Sequence, residues 1–314
     1  MTQKVTDVAV AIFRKADGTF LLSSRPDGKP YAGYWEFPGG KIEPGETVLQ
    51  AMIRELVEEL NVTISKATPW FTFMMHYTHA TVRLHCWRVS AWHGEMRGME
   101  GQGFAWQRLN ALTVGPTLPG CVPIFNALAL PGVYAITNAS AAGVEAYLAQ
   151  LEYALQQGLR LVQIRERNLS PDALLHFAEE VVAKAHAYSA QVLVNRDADL
   201  AMRIGADGVH LTAAQLGDCG VRPDFPLVAA SAHHRAEIER AAELKLDFVV
   251  LGAVKPTRTH PGQMPIGWQR FAELVNAAPL PVYALGGLTA DDMSIAIEQG
   301  AHGLAMQRGL TPAS

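Results

Sequence analysis

The stretch GKIEPGETVLQAMIRELVEELNV, from Gly40 to Val62, decides how the first part of this 314-residue chain is read. At 100° per residue, Leu49, Ile53, Leu56, Val57 and Leu60 share an arc of roughly 100°, the spacing of a core-facing helical stripe. Glu55, Glu58 and Glu59 fall on the opposite side within a similar arc. Thr47 and Gln50 have the spacing of a capping box, so the helix is expected to begin near Thr47, after the glycine turn Phe37-Pro38-Gly39-Gly40. Carboxylates at i, i+3 and i+4 repel one another, and near a helix C-terminus the macrodipole opposes them too. No Lys or Arg stands three or four residues after Glu59, where Val62 and Thr63 are found. A divalent cation would relieve the repulsion, and an all-oxygen donor set suits Mg²⁺ or Mn²⁺.

The stretch resembles the Nudix hydrolases, whose box reads G-x5-E-x7-R-E-U-x-E-E-x-G-U with U aliphatic. Gly40, Glu46, Arg54, Glu55, Leu56, Glu58, Glu59 and Val62 stand in register. Asn61 replaces the second box glycine, and Asn is the next-best residue for a left-handed helix end. The resemblance covers residues 1–130 and is close to the MutT subgroup. It implies a metal held by Glu55, Glu58, Glu59, the Glu100 of Glu100-Gly101-Gln102 and the Gly39 carbonyl, with Mg²⁺ as cofactor and Mn²⁺ as substitute. It implies nucleotide contacts from Arg25 and from Glu36, Phe37, Pro38 and Gly39. The implied reaction is hydrolysis of a nucleoside triphosphate to monophosphate and pyrophosphate, with 8-oxo-dGTP as substrate and nucleotide-pool sanitation as role. Glu55, Arg54, Glu58 and Glu59 form the catalytic set, Glu55 acting as or orienting the base with Arg54 and Glu46 behind it. Where the subgroup reads the base with an Asn, Leu118-Pro119-Gly120-Cys121 supplies Cys121. An amide's two-point base contact carries about 1–3 kcal/mol, so discrimination is expected to drop roughly 5- to 150-fold.

Outward from the box, Val5 to Phe13, then Asp17-Gly18 and Phe20 to Ser24, read as a hairpin. Trp70–Met75, Val82–Val89 and Phe104–Gln107 read as further strands, giving a mixed sheet with helices packed on it. The net charge is −4, the pI near 6.3, and there is no basic run, which argues against a nucleic-acid polymer or an anionic membrane as partner. Cys86, Cys121 and Cys219 are scattered without metal spacing, as in a reducing cytosol. With no signal pattern and no apolar run of roughly 18 residues, a cytoplasmic location is expected.

Composition changes at Leu130-Pro131-Gly132, and residues 131–314 form the second expected domain. Short apolar runs alternate with helical patterns: Val133–Thr137, Leu161–Arg165, Val192–Asn195, Gly208–Leu211, Leu227–Ala232, Phe248–Val254, Val282–Gly286 and Gly303–Gln307. Such alternation implies an α/β fold, a parallel (β/α)8 TIM barrel with its function at the strand C-termini. The strand ends Gln163-Ile164-Arg165-Glu166-Arg167, Gly208-Val209-His210-Leu211, Ser231-Ala232-His233, Pro256-Thr257-Arg258-Thr259 and Ala284-Leu285-Gly286-Gly287 resemble thiamine phosphate synthase and its TenI relatives. This implies a ligand or phosphate site of Gln163, Arg165, Asn195, His233, Thr257, Thr259, Gly286 and Gly287, with Arg308 beyond the last strand. The synthase's Asn-Asp-Arg is here Asn195-Arg196-Asp197, its later acidic residue is missing from Leu211-Thr212-Ala213-Ala214-Gln215-Leu216, and His260 replaces a Lys. Synthase activity is therefore not expected. A TenI-type proton transfer at His233 and a non-catalytic module for a phosphorylated ligand stand as alternatives. In a third reading, the first domain hydrolyses a thiamine-related diphosphate.

Only Arg308-Gly309-Leu310-Thr311-Pro312-Ala313-Ser314 follows the last strand, too short for the usual covering helix. The barrel is thus expected to lack that helix, with Ile124, Phe125, Leu128 and Leu130, or a homodimer, covering the gap.

Overall fold

The computed structural model describes residues 5–78, 80–257, 262 and 264–308. The chain divides into two compact units, Met1–Ala129 and Leu130–Ser314. Thr259, His260 and the tail after Arg308 lie outside the described residues, and with them the expectations placed there.

In the first unit, β1 (Val5–Phe13), β2 (Phe20–Ser24), β3 (Trp35–Glu36) and β4 (Gly39–Lys41) precede α1 (Val48–Leu60). β5 (Thr63–His76), β6 (Thr81–His93), β7 (Phe104–Gln107) and α2 (Cys121–Ala129) follow. A four-stranded sheet runs β4-β1-β6-β5, and a three-stranded sheet runs β3-β2-β7. β1 is parallel to β6 and antiparallel to β4. The expected β1–β2 hairpin is not formed: an Arg14–Phe20 bridge joins the two, and each strand pairs within a different sheet. The side-chain alternation of β1 explains why. Ala9, Ala11 and Phe13 pack with Met52, Leu56 and Leu60 of α1, whereas Val10 and Ile12 pack with Ile124 and Ala127 of α2. A strand buried on both faces between helical layers must sit inside its sheet, which takes its edges away from β2.

Helix α1 has its capping box at Thr47 and Gln50, and Asn61 ends it in the left-handed conformation at φ 56°. Its inward face keeps only part of the apolar stripe of the sequence, Ile53, Leu56 and Leu60. Leu56 and Leu60 are buried, but Leu49 and Val57 are 36% and 45% exposed, and Ala51 and Met52 take their place. The helix is rolled roughly 80° toward its acidic side. Glycine makes the roll feasible: a Cβ on Gly40 would lie 2.0 Å from the Glu55 carboxyl carbon, so the bare backbone there admits the carboxylate. Ile124 and Ala127 of α2 are buried inside this unit with Phe125 packed against them, Phe125 lying 5.7 Å from Phe20 and 5.6 Å from Phe37 between ring centroids. Leu130 packs in the interior of the second unit.

The second unit is a closed, parallel barrel of β8 (Val133–Ile136), β9 (Leu161–Ile164), β10 (Gln191–Asn195), β11 (Gly208–Leu211), β12 (Leu227–Ala232), β13 (Phe248–Gly252), β14 (Val282–Leu285) and β15 (Gly303–Met306). Each run falls where the alternating pattern placed it, several ending one or two residues early. Tyr134, Phe248 and Tyr283 fill the interior, Tyr134 meeting Phe248 edge-on at 5.1 Å and Phe248 meeting Tyr283 at 5.0 Å. Outward residues such as Val133, Val162 and Val192 pack against the helices, the two-sided burial that makes these strands read as continuous apolar runs.

Candidate active site

In the first unit, the acidic site is built around Arg54. Its Nε and Nη2 donate to Glu46 Oε1 and Oε2 at 2.8 and 2.9 Å, Nη2 also to the Lys41 carbonyl, and Nη1 to Glu55 Oε1 at 2.9 Å. Glu58 is a longer partner at 3.4 Å. The Arg54 hydrogen bond brings Glu46 down to about 2. Arg54 therefore relieves part of the repulsion that the sequence left to a metal alone.

Glu59 lacks such a guanidinium. Burial, then the nearby Glu55 charge, pushes its carboxyl up to about 7, with Lys29 opposing and Glu36 and Glu100 adding to the shift. The loop that carries Glu100 is tied to it: Met99 N and Gln102 Nε2 both donate to the Glu59 carbonyl, and Gln102 Oε1 accepts from Glu100 N. Glu100 itself pairs with Lys29 at 2.8 Å. Among the described residues, no three His, Cys, Asp or Glu side chains converge as a preformed metal cage. The donor chemistry nonetheless fits a hard divalent ion: carboxylate oxygens beside the glycine backbone of β4, one of them raised to about 7 by burial and a neighbouring like charge. Without that ion, Arg54 and Lys29 hold Glu55, Glu58 and Glu100 as counter-cations.

Beside the acids, Arg25 pairs with Glu36, whose carboxyl burial pushes upward while Arg25 pulls it back. Tyr31 sits 5.4 Å from Tyr34 and 6.0 Å from Tyr77 between centroids. The Tyr77 hydroxyl hydrogen-bonds the backbone of Gly120. The three tyrosine rings thus pack on one another near the part-buried Glu36 carboxyl. The Cys121 thiol is buried, donates to the Trp35 carbonyl at 3.8 Å, and is pushed up to about 12 by burial.

In the barrel, Gln163 Nε2 donates to the Tyr134 hydroxyl at 2.9 Å, and Asn195 Nδ2 to Gln163 Oε1 at 3.3 Å. His210 Nδ1 meets that Tyr134 hydroxyl at 3.2 Å and its Nε2 meets Ser231 Oγ at 3.0 Å. Burial, helped by Arg165, brings His210 down to about 3, so it is neutral. Above this chain, a cavity of about 300 Å³ is lined by Asn138, Ser140, Ala141, Arg165, Glu166, Arg167, Asn168, Gln307 and Arg308.

Residues 4–122 match the NUDIX domain, and residues 133–310 match thiamine monophosphate synthase (TMP-TENI), over half the chain. The chain belongs to both families. A protein of Aquifex aeolicus (strain VF5), provisionally named thiamine-phosphate synthase 2, is 37% identical over 56% of this chain and 95% of its own length. The CTP pyrophosphohydrolase of Escherichia coli (strain K12) is 34% identical over 40% of this chain and 91% of its own. The 8-oxo-dGTP diphosphatase of Haemophilus influenzae (strain ATCC 51907 / DSM 11121 / KW20 / Rd) is 34% identical over 41% and 94%.

In the NUDIX unit, the structure brings Glu55, Glu59, Glu36 and Glu100 into one electrostatic neighbourhood and places Glu58 at its outer side, 56% exposed. Phe37 is in the core between Phe20 and Phe125, and Pro38 binds β1 through its carbonyl, so both shape the turn from within. In the TMP-TENI unit, the cavity gathers Arg165 and Arg308. Gly286 and Gly287, with φ of 108° and 62°, pack against Ala253 to Pro256, where a Cβ would collide, and His233 Nδ1 lies 3.3 Å from the Gly252 carbonyl. None of these three lines the cavity. Lys29, Tyr31 and Tyr77 escaped the sequence reading because loop composition carries no periodicity; the flanking Gly28 and Gly33, both at positive φ, were the available signal of a tightly folded loop.

Proposed function

We propose that the NUDIX unit hydrolyses a nucleoside triphosphate to its monophosphate and pyrophosphate, with 8-oxo-dGTP as substrate and Mg²⁺ as cofactor. The observation that carries this reading is the gathering of Glu55, Glu59 and Glu100 beside the Gly39-Gly40 backbone of β4, where Glu55 packs against Gly40 and burial with the neighbouring charges raises Glu59 to about 7. Glu55, Glu58, Glu59, Glu100 and the Gly39 carbonyl would hold the ion. When bound, such an ion neutralises charge on phosphoryl oxygens and activates water. Glu55, fixed by Arg54 over Gly40, takes or directs the proton of the attacking water, and Glu46 keeps the Arg54 fork in place. Arg25 and Glu36 orient the nucleotide, and Cys121 fixes the start of α2 to β3 rather than reading a base edge at two points.

The barrel is proposed to bind a phosphorylated ligand at Arg165 and Arg308 without synthase activity. Asp197, the displaced acid, accepts from Leu200 N at 2.9 Å as a helix cap, and Gln215 is tied to Thr212 and to the Arg196 carbonyl. Those side chains are occupied where a synthase would need free carboxylates. The fused barrel also supports a second reading, a thiamine-related diphosphate as substrate of the NUDIX unit.

A panel on the full-length chain tests both halves. Mg²⁺-dependent pyrophosphate release is expected from 8-oxo-dGTP at a kcat/KM above that for dGTP and CTP and above that for orthophosphate release from thiamine diphosphate, with no rescue of a thiamine auxotroph lacking its synthase. Equal values for 8-oxo-dGTP and dGTP would remove the sanitation role, and rescue would overturn the inactive barrel.

A further inference from the structure

Lys29 lies in the loop between β2 and β3, and that loop is closed on itself. Arg25 Nε donates to the Pro30 carbonyl at 2.7 Å, Arg25 N to Tyr34 O, and Gly33 N to Arg25 O. The Lys29 ammonium crosses from this loop to Glu100 Oε2 at 2.8 Å. Glu100 belongs to the loop fastened to the Glu59 carbonyl through Met99 and Gln102, and the attraction of Lys29 extends to Glu59 itself. The other cations near the acids are differently held. Arg54 is spread over Glu46, Glu55 and the Lys41 carbonyl, and Arg25 over Glu36 and the Pro30 carbonyl. Lys29, by contrast, is a point charge on a flexible stem, paired with a carboxylate at an interface where both side chains are near half exposed.

We propose that Lys29 is an internal counter-cation for Glu100 and Glu59 that competes with free divalent metal and is released when metal arrives with a nucleotide, whose phosphates then receive the ammonium. This rests on the reading of the acidic patch as a metal site. A bare ion must displace the ammonium and leave it without an anion. An ion bound to a triphosphate brings the replacement anion with it, so the metal–nucleotide complex is favoured over either component alone. Lys29 acts here as a positioning residue, setting the order in which the site fills.

The test is Mn²⁺ binding to the full-length chain, read by electron paramagnetic resonance at fixed pH without nucleotide, for wild type, Lys29→Gln and Lys29→Arg. With the competitor removed, Lys29→Gln is expected to bind Mn²⁺ about five-fold tighter than wild type, on the scale of a part-exposed ion pair. Lys29→Arg keeps a cation against Glu100 and is expected to remain within about two-fold of wild type. In steady-state assays, Lys29→Gln should raise KM for the metal–nucleotide complex about five-fold at near-constant kcat, because a ground-state phosphate contact is lost. Mn²⁺ affinity in Lys29→Gln equal to or weaker than wild type overturns the competition, and an unchanged KM overturns the transfer to phosphate. A wild-type chain that binds no Mn²⁺ overturns the metal reading beneath both, a result distinct from the other two.

Discussion

The acidic patch of the NUDIX unit and the polar interior of the barrel are both built from half-buried and buried polar side chains, yet they are balanced in opposite ways. In the patch, burial and then the like charge of Glu55 raise Glu59 to about 7. In the barrel, Asn195, Gln163, Tyr134, His210 and Ser231 form one hydrogen-bonded chain with a neutral imidazole in it. Under the proposed metal reading an added cation would complete the first arrangement, whereas the second is hydrogen-bonded throughout as folded. Burial raises the cost of an unmatched group in both places.

The strongest way to break the contrast is to neutralise the patch. Glu59→Gln or Glu55→Gln is expected to lower Mg²⁺-dependent kcat/KM at least about 100-fold while circular dichroism stays that of wild type. Near-normal turnover in either folded variant would mean the imbalance serves no chemistry. The converse change in the barrel is His210→Phe, which removes the partner of Ser231 and one partner of Tyr134. It is expected to cost about 2–4 kcal/mol of barrel stability. Hydrogen exchange read on peptides of β8, β11 and β12 should show the loss there and leave residues 5–129 unmoved.

The smallest effect is also the sharpest in sign. Glu59 binds its proton more tightly folded, at about 7, than its ordinary 4.5, so its contribution to stability falls as pH rises from 4.5 to 7. His210 binds its proton less tightly folded, at about 3 against 6.5, so its contribution falls as pH drops from 6.5 to 3. Taking the metal-free chain from pH 7 to pH 5 should therefore stabilise the NUDIX unit and weaken the barrel, each by on the order of 1–2 kcal/mol. Denaturant unfolding followed by exchange would check this, and slopes of the same sign in both units would contradict it.

How far the sequence could be read differs between the two units for a physical reason. Strands of the barrel are buried on both faces, so Val133 to Ile136 or Phe248 to Gly252 stand out as uninterrupted apolar runs. Caps were equally legible, because Thr47, Gln50 and Asn61 act within one helical turn of themselves. The roll of α1 was not, since it depends on what Gly40 leaves open fifteen residues earlier, and a helical wheel drawn from Leu49 and Val57 cannot register that. Nor could the Phe20 run reveal that β2 pairs with β3 and β7, because pairing partners are fixed by which faces the neighbours bury. At the site, Glu55 and Glu59 were found from spacing, while the Lys29–Glu100 pair spans 71 residues and leaves no local trace. No helix among the described residues is long and apolar enough to cross a membrane.

The meeting of Gly40 and Glu55 bears on how the motif can vary. Since the Glu55 carboxyl carbon and both its oxygens would lie 2.0 to 2.3 Å from any Cβ at position 40, the two positions are not independent letters. An alanine at 40 would push the Glu55 carboxylate, the end of a flexible side chain, away from where it stands. The glycine is therefore a property of the acid. Loss of the carboxylate at 55 would lift this steric constraint on position 40.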